Sequence, residues 1–197
     1  MDNNLGDDVH FLWALSKDFG SSGFRIGVLY TQNQVLSAAL GTLNIFSAVS
    51  HPMQAVVAQL LDDEKYVDDM LDRSRYLLKS SYDTVVTTLN ELEIPYVKAQ
   101  ACIFIYVDFS SLLPEPTFEG ETKFETLMVD NARIVLTPGH SQRETKPGMF
   151  RICYAWVPPD VLEVAMTRLK RVVKDVKTFG WGDDSLYQKK YYELDNT

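Results

Sequence analysis

The sequence predicts an α/β protein in which two unequal parts are joined by one long helix, and three observations support this. Short β-rich runs around a glycine-containing turn come first, apolar residues then recur at helical spacing, and a β-rich texture returns after Pro95. We therefore divide the 197-residue chain into four segments. These are residues 1–62, a helical segment 63–94, a small α+β part 95–178, and a tail 179–197 that we expect to be loosely ordered.

The first part is predicted to begin with two strands and to continue as helices. Residues 10–13 and the mostly apolar residues 24–30 each favour a strand, with the glycine-containing turn between them. Residues 34–49 are rich in Leu and Ala, which favours a helix. Pro52 then stands at a position that suits the first turn of a new helix.

One long helix is predicted to connect the two parts. Its apolar residues recur at helical spacing and would form one face; they are Val67, Met70, Leu71, Leu78, Val85, Leu89 and Leu92. Acidic residues from Asp62 to Glu64 suit the N-terminus of this helix. The helix should end near Glu93, because Pro95 disfavours helical backbone at the residue before it.

The second part is predicted to mix strands and helices. The expected elements are strands over 101–107, 133–136 and 149–156, a short helix over 124–129, and a turn over 137–139. A last helix opens at Pro158 and Pro159 and carries basic residues in its final turns, where they face the negative end of the helix dipole.

Composition and charge exclude several classes of function. The net charge is −8, from 27 acidic and 19 basic residues, so nucleic acid is not an expected partner, because its phosphate backbone requires a basic face. The first residues are acidic and polar, unlike a signal peptide, and no apolar run reaches the roughly 18 residues of a membrane span. We expect a soluble, cytoplasmic protein without a membrane partner.

Cysteines and histidines give no sign of a disulfide framework or a metal site. The two cysteines, Cys102 and Cys153, both lie in apolar runs, where buried and reduced thiols are expected. The three histidines, His10, His51 and His140, are scattered along the chain without the spacing of metal ligands.

The turn between the first two predicted strands carries residues that suit a phosphorylated aldehyde cofactor. Residues 14–27 have the sequence ALSKDFGSSGFRIG. Lys17 supplies an amine that forms Schiff bases with aldehydes, or it is an ordinary solvated surface group. Arg25 offers the planar, charged fork that matches a phosphate, and a charge within its apolar strand is costly unless it is paired. Gly20 and Gly23 would permit positive φ angles in the turn.

A second arginine, Arg151, interrupts the apolar strand predicted over 149–156. Its guanidinium needs an anionic partner, and a carboxylate would meet it through two parallel hydrogen bonds. The residues alone leave two alternatives open. One is a bound substrate carboxylate, and the other is a structural salt bridge with a nearby acid.

These segments resemble a known family. Three segments are similar to those of the class I/II aminotransferases: residues 14–27, LTPG over 136–139 and PGMFRICYA over 147–155. These aminotransferases are fold-type I enzymes that depend on pyridoxal phosphate. Within the family, the segments are most like those of 1-aminocyclopropane-1-carboxylate (ACC) synthases. The resemblance runs from about residue 9 to 173 and covers only the C-terminal half of such enzymes. It implies the end of a large cofactor-binding domain followed by a small α+β domain. It also implies a pyridoxal 5'-phosphate cofactor, an amino-acid substrate and a homodimer in the full-length form.

The resemblance also assigns roles to individual residues. Lys17 would be the catalytic lysine that forms the Schiff base and carries the proton at the substrate α-carbon. Arg25 would bind the cofactor phosphate with help from Ser16, and Arg151 would bind the substrate α-carboxylate. Ala14 departs from the family, which usually has a serine there, and the lost hydrogen bond to a charged group is worth roughly 1.5–3 kcal/mol.

Three functions are compatible with these roles. The first is a carbon–sulfur lyase of ACC-synthase type that acts on S-adenosylmethionine. The second is an aminotransferase that exchanges an amino group between an amino acid and a 2-oxo acid. The third is a catalytically inactive, truncated paralogue with a binding or regulatory role. Since the family's residues that precede the lysine have no counterpart here, we expect this chain to be incomplete as a catalyst.

Overall fold

The computed structural model describes residues 5–182 and 185–196. The chain divides into two compact units, Met1–Arg75 and Tyr76–Thr197, and the boundary between them falls within a long helix. Among the described residues, no helix combines the length and the apolar character that a membrane span requires.

The first unit begins with an antiparallel hairpin and continues with helices. Strand β1 (His10–Ala14) pairs with β2 (Gly27–Thr31), so that His10 lies opposite Thr31 and Ala14 opposite Gly27. The helices are α1 (Leu15–Asp18), α2 (Gln34–Leu43), α3 (His51–Asp62) and the first part of α4 (Glu64–Glu91). Helix α2 begins where it does because the side chain of Asn33 accepts a hydrogen bond from the Leu36 amide, at 2.9 Å.

Large apolar side chains stay exposed on this first unit. Leu12 of β1 is 72% exposed and Phe46, just after α2, is 89% exposed. Others on the hairpin and on α2 are Phe11, Val28, Leu29, Tyr30, Val35 and Leu43. Exposed apolar side chains in such number mark surfaces that another polypeptide segment covers in many soluble proteins.

The second unit is built on a four-stranded antiparallel sheet. Its strands are β3 (Tyr96–Val97), β4 (Phe104–Asp108), β5 (Thr137–Pro138) and β6 (Met149–Cys153), in the spatial order β3-β4-β6-β5. Its helices are α5 (Phe118–Thr126), which continues as a π-helical turn over Leu127–Ala132, then α6 (Pro159–Phe179) and α7 (Ser185–Gln188). These helices and the rest of α4 supply the remainder of the core.

The two faces of this sheet differ in burial, and this difference positions Arg151. Ile105, Val107, Phe150 and Ile152 point to one face and are at most 3% exposed. The alternate residues of β4 and β6 are only half-buried, because successive side chains of a strand point to opposite faces. Arg151 belongs to this second, half-buried face, which we call the open face.

A cluster of aromatic rings anchors the buried face beneath Arg151. The rings of Phe109, Phe124 and Phe150 are fully buried, and their centroids lie 5.3, 5.5 and 5.8 Å apart. Phe150 is the residue before Arg151, so this packing holds the central strand β6 in one place along its length.

Several expected elements are corrected by the structure. No strand forms over residues 133–136; Arg133 has a left-handed φ of 56° that ends the π-helical turn, and pairing with β6 begins instead at Thr137, within the segment predicted to be a turn. The helix predicted over residues 34–49 ends at Leu43 and gives way to a 3₁₀ turn. The long helix ends at Glu91, close to the predicted position.

The expectation of a loosely ordered tail is wrong for the part that the structure describes. Leu186 and Tyr191 are at most 1% exposed, and the Tyr191 hydroxyl donates to the Asp175 carboxylate at 3.0 Å. Asp195 forms ion pairs with Arg168 and Arg171 of α6, at 2.5 and 3.1 Å. Residues 183, 184 and 197 lie outside the described residues.

The prediction that both cysteines are buried is wrong. Cys102 is exposed and Cys153 is half-buried, and both are free. Cys102 lies before β4 and has a φ of 81°, so it is not part of the strand predicted over 101–107. Its side chain is therefore not packed into the core.

Candidate active site

Lys17 lies on a one-turn helix at the end of the first strand. The chain passes from Ala14 directly into α1, which contains both Ser16 and Lys17. Leu15 is fully buried and fixes the base of this turn, while Lys17 is exposed and Ser16 is half-buried. The buried leucine thus anchors the backbone from which the neighbouring lysine projects.

Backbone hydrogen bonds close the segment between the two strands into a compact loop. The Leu15 amide donates to the Ile26 carbonyl at 3.3 Å, and the Leu15 carbonyl accepts from the amides of Phe19 and Ser21, at 3.2 and 3.3 Å. Gly20 has a φ of 61°, the left-handed conformation expected from the sequence. Residues 15 and 26 are therefore held together, and the loop brings the stretch with Ser16 and Lys17 toward the stretch that ends at Arg25.

The side chains around Lys17 add a second set of contacts. The Trp13 indole N–H donates to the Asp18 carboxylate at 2.6 Å, and the Trp13 ring meets Phe19 edge to face with centroids 6.1 Å apart. These contacts connect the residues on both sides of α1, which restricts how far the turn that carries Lys17 can move.

The structure places Arg25 before the second strand and not within it, which corrects the argument made from an apolar strand. Strand β2 starts only at Gly27, and Arg25 is exposed with a left-handed φ of 53°. A 3₁₀ turn over Ser22–Phe24 causes this, since the Arg25 amide donates back to the Ser22 carbonyl at 3.3 Å. Gly23 lies inside that turn without a positive φ.

The Arg25 guanidinium is directed back onto its own loop. Its Nη1 donates to the Ser22 carbonyl at 3.1 Å. The remaining N–H groups of an arginine fork can still receive an anion, because a guanidinium has five donors. The donor set of this loop, an amine, a guanidinium and the Ser16 hydroxyl, fits a ligand that carries both an aldehyde and a phosphate.

Arg151 lies at the centre of the open face of the second unit. On one side it is opposite Tyr106 of β4, and on the other side it is opposite Thr137 of β5. Its guanidinium carbon stands 4.2 Å from the centre of the Phe104 ring, in a cation–π arrangement. A central strand thus fixes the backbone of Arg151, and an aromatic ring supports its side chain.

One nitrogen of Arg151 has no hydrogen-bond partner in the described part of the chain. Its Nε is buried and makes no hydrogen bond within the described residues, and none of the ion pairs formed there includes Arg151. A buried donor of this kind costs about 1–3 kcal/mol when it is left unsatisfied. The structural salt bridge that the residues left open is therefore not formed by any described acid, and the guanidinium is available to a bound anion.

Tyr106 and Glu144 form a hydrogen-bonded pair beside Arg151. The Tyr106 hydroxyl donates to Glu144 Oε2 at 3.0 Å, and burial together with this bond raises the pKa of Tyr106 to about 12. Glu144 Oε1 accepts from the amides of Lys146 and Thr145, and these bonds, followed by that from Tyr106, hold the pKa of the Glu144 carboxyl below its ordinary value. A charged carboxylate is thus fixed next to the strand neighbour of Arg151.

The residues that surround Arg151 were not predicted as site residues. Phe104 and Tyr106 belong to an apolar run whose alternation does not say which face is open. Glu144 lies 38 residues from Tyr106 in the sequence, and only the pairing of β4 with β6 brings the two together. Lys17, Ser16 and Arg25 share the loop of the first unit, whereas Arg151 belongs to the second unit.

Comparisons with known proteins identify the family of this chain. The family model for aminotransferase class I and II matches residues 3–169. The chain belongs to this family. Its relatives include ACC synthase 11 of Arabidopsis thaliana, 35% identical over 174 residues, and ACC synthase 4 of Oryza sativa subsp. japonica, 33% identical over 175 residues. These matches cover 87% and 86% of this chain but only 38% and 35% of the relatives.

Solved structures confirm the fold class. The aromatic aminotransferase of Pyrococcus horikoshii OT3 is similar with a TM-score of 0.75 and 25% identity, over 85% of this chain and 43% of that one. A Thermus thermophilus aspartate aminotransferase variant gives a TM-score of 0.73 at 18% identity, over 84% and 41% of the two chains, and shows the fold alone. The chain is therefore an α/β, fold-type I segment that resembles ACC synthase and spans less than half of each of these proteins.

Proposed function

We propose that this chain supplies the catalytic lysine and the carboxylate-binding arginine of a pyridoxal phosphate-dependent enzyme of ACC-synthase type, which cleaves a carbon–sulfur bond of S-adenosylmethionine. The observation that carries the proposal is Arg151, a guanidinium held over Phe104 whose buried Nε makes no hydrogen bond to any described residue. An amino-acid substrate brings the planar carboxylate that completes such a site. The ACC synthases among the relatives support the choice of reaction.

The loop of the first unit provides the groups that would hold the cofactor. Lys17 would attach it covalently through the side-chain amine, and Arg25 and Ser16 would bind its phosphate. When bound, the cofactor supplies an electron sink for the charge left at the substrate α-carbon. Lys17 would take up and return the proton at that carbon, and Arg151 would orient the substrate by its α-carboxylate.

An aminotransferase is the second candidate function. It is favoured by the structural similarity to the aromatic aminotransferase, which is the protein with a TM-score of 0.75. Lys17, Arg25 and Arg151 would have the same roles in both reactions, so these residues do not separate them. Incubation with S-adenosylmethionine, or with an aromatic amino acid and a 2-oxo acid, separates them by product. Release of ACC supports the first reaction, and transfer of the amino group supports the second.

A labelling experiment tests the cofactor site directly. The purified chain is mixed with pyridoxal phosphate, reduced with borohydride and mapped by peptide mass spectrometry. We expect one major label, on Lys17, because the closed loop places the Arg25 guanidinium in the same loop as this amine. Lys17→Ala should remove that label, whereas Lys98→Ala, at another exposed lysine, should leave it. Label spread evenly over many lysines would contradict the proposed site and favour an inactive paralogue.

A further inference from the structure

Glu121 is a buried carboxylate in the second unit that the proposed roles do not use. It lies in the first turn of α5, and its side chain is 0% exposed. No lysine or arginine pairs with it among the described residues, and its ion-pair partner there is His140. Burial of a carboxylate without a lysine or arginine partner costs free energy. The hydrogen bonds that Glu121 accepts offset this cost, and they also restrain the groups that donate them. The N-terminal end of α5 also favours a negative charge at this position.

The carboxylate of Glu121 binds both ends of one loop. Oε1 accepts from the His140 backbone amide at 3.2 Å and lies 2.7 Å from Nδ1 of the His140 ring. Oε2 accepts from the Gly148 amide at 2.7 Å. The residues between these two contacts, 140–148, form what we call the site loop. One buried side chain therefore connects the start of the site loop to its end.

The end of the site loop is the base of the strand that carries Arg151. Gly148 has a φ of 93°, and its carbonyl accepts from the Phe109 amide at 2.8 Å. Strand β6 begins at the next residue and reaches Arg151 two positions later. The middle of the site loop carries Glu144, which binds the hydroxyl of Tyr106, the residue opposite Arg151. Both connections from the site loop thus lead to the surroundings of the guanidinium.

We propose that Glu121 is a positioning residue that holds the site loop closed and so presents Arg151 to a carboxylate at the open face. The inference rests on the proposed function of Arg151. An apolar residue in place of Glu121 would fill the same space but would leave the Gly148 amide and the His140 donors unpaired. The acid is therefore suited to fixing the loop rather than to filling the core.

The test measures anion binding at Arg151 in the full chain by nuclear magnetic resonance. The Arg151 Nε–H signal is followed while sodium acetate is added, and the midpoint gives the apparent Kd. Glu121→Gln keeps the size but places an amide group against the donors of His140 or Gly148. We expect it to weaken acetate binding by about threefold or more. Glu119→Gln, at an exposed acid in the same turn, should leave the Kd within about twofold.

A second pair of variants covers the case in which Glu121→Gln fails to fold. The His140 side chain is 43% exposed, so its replacement spares the core. His140→Ala removes the ring donor and should weaken acetate binding, whereas His140→Asn keeps an N–H donor near the Nδ1 position and should restore it. A purely structural role would not produce this rescue at the Arg151 signal.

Each outcome decides the matter. Weaker binding in Glu121→Gln and His140→Ala, with rescue by His140→Asn, supports the inference. Wild-type affinity in both of these variants overturns it and leaves the role of Arg151 intact. If acetate does not move the Arg151 signal in the wild-type chain, the proposed role of Arg151 fails and the inference fails with it.

Discussion

Replacement of Arg151 by methionine tests whether this arginine is kept for binding a ligand or for stabilising the fold. Removing a buried donor that has no partner recovers about 1–3 kcal/mol. The change loses the cation–π contact with Phe104, about 0.5–1 kcal/mol, but a methionine keeps contact with that ring, worth about 0.3–1.5 kcal/mol. The contacts therefore predict that Arg151→Met raises the free energy of unfolding of the unliganded chain, by about 2 kcal/mol at the middle of these ranges.

Urea unfolding measures this change, with Trp156 and Trp181 as fluorescent reporters in the second unit. Lys174→Met is the matched control, because it removes one positive charge from an exposed helical position of the same unit and should change stability by less than about 0.5 kcal/mol. A stability loss greater than about 1 kcal/mol in Arg151→Met alone would refute the reasoning and make Arg151 a structural residue.

Two further predictions concern the stability of the second unit. Gly148→Ala should destabilise the unit by more than about 2 kcal/mol, because the φ of Gly148 is 93° and an added Cβ would stand 2.4 Å from Cα of Ser110. Gly182→Ala is the control in the same urea titration, because Gly182 has open space around it, and equal unfolding midpoints for the two variants would contradict the close packing at Gly148. Stability should also fall as pH rises above about 10, because burial raises the pKa of Tyr106 to about 12 and raises that of Tyr191 further, so the unfolded chain releases these protons first. Phenylalanine at either position should flatten this alkaline slope in pH-dependent unfolding, and an unchanged slope in both variants would show that other groups cause it.

Local patterns in the sequence were sufficient to predict most elements of the fold. The strand before Lys17, the long helix and the strand around Arg151 were expected close to where they occur, because each depends on neighbouring residues. The strand predicted over residues 133–136 is wrong. Ile134 and Leu136 lie two positions apart and are buried as in a strand, but pairing with β6 begins only at Thr137. Strand pairing is a contact with a distant segment, and a local pattern does not contain it.

The candidate site residues were also predicted from short segments of the sequence, whereas their conformations depend on the tertiary structure. The predicted roles of Lys17 and Arg151 come from short segments whose residue types suit that chemistry, and both segments lie within residues 3–169, which match the family. Arg25 was found by the same means but was placed in the wrong conformation, since a 3₁₀ turn ends at the residue before it. The roles of these three residues remain proposals.

The sequence by itself determined the family and the fold class, and it supplied the two segments proposed to carry the chemistry, because residue types at fixed spacing are local information. Only the tertiary structure decided that Glu121 is buried while Glu119, two positions away, is exposed. It also decided that the Nε of Arg151 has no hydrogen-bond partner within residues 5–182 and 185–196, and that the tail packs through Tyr191. These properties arise from contacts between residues far apart in the chain, where burial changes the free energy of a polar group by several kcal/mol.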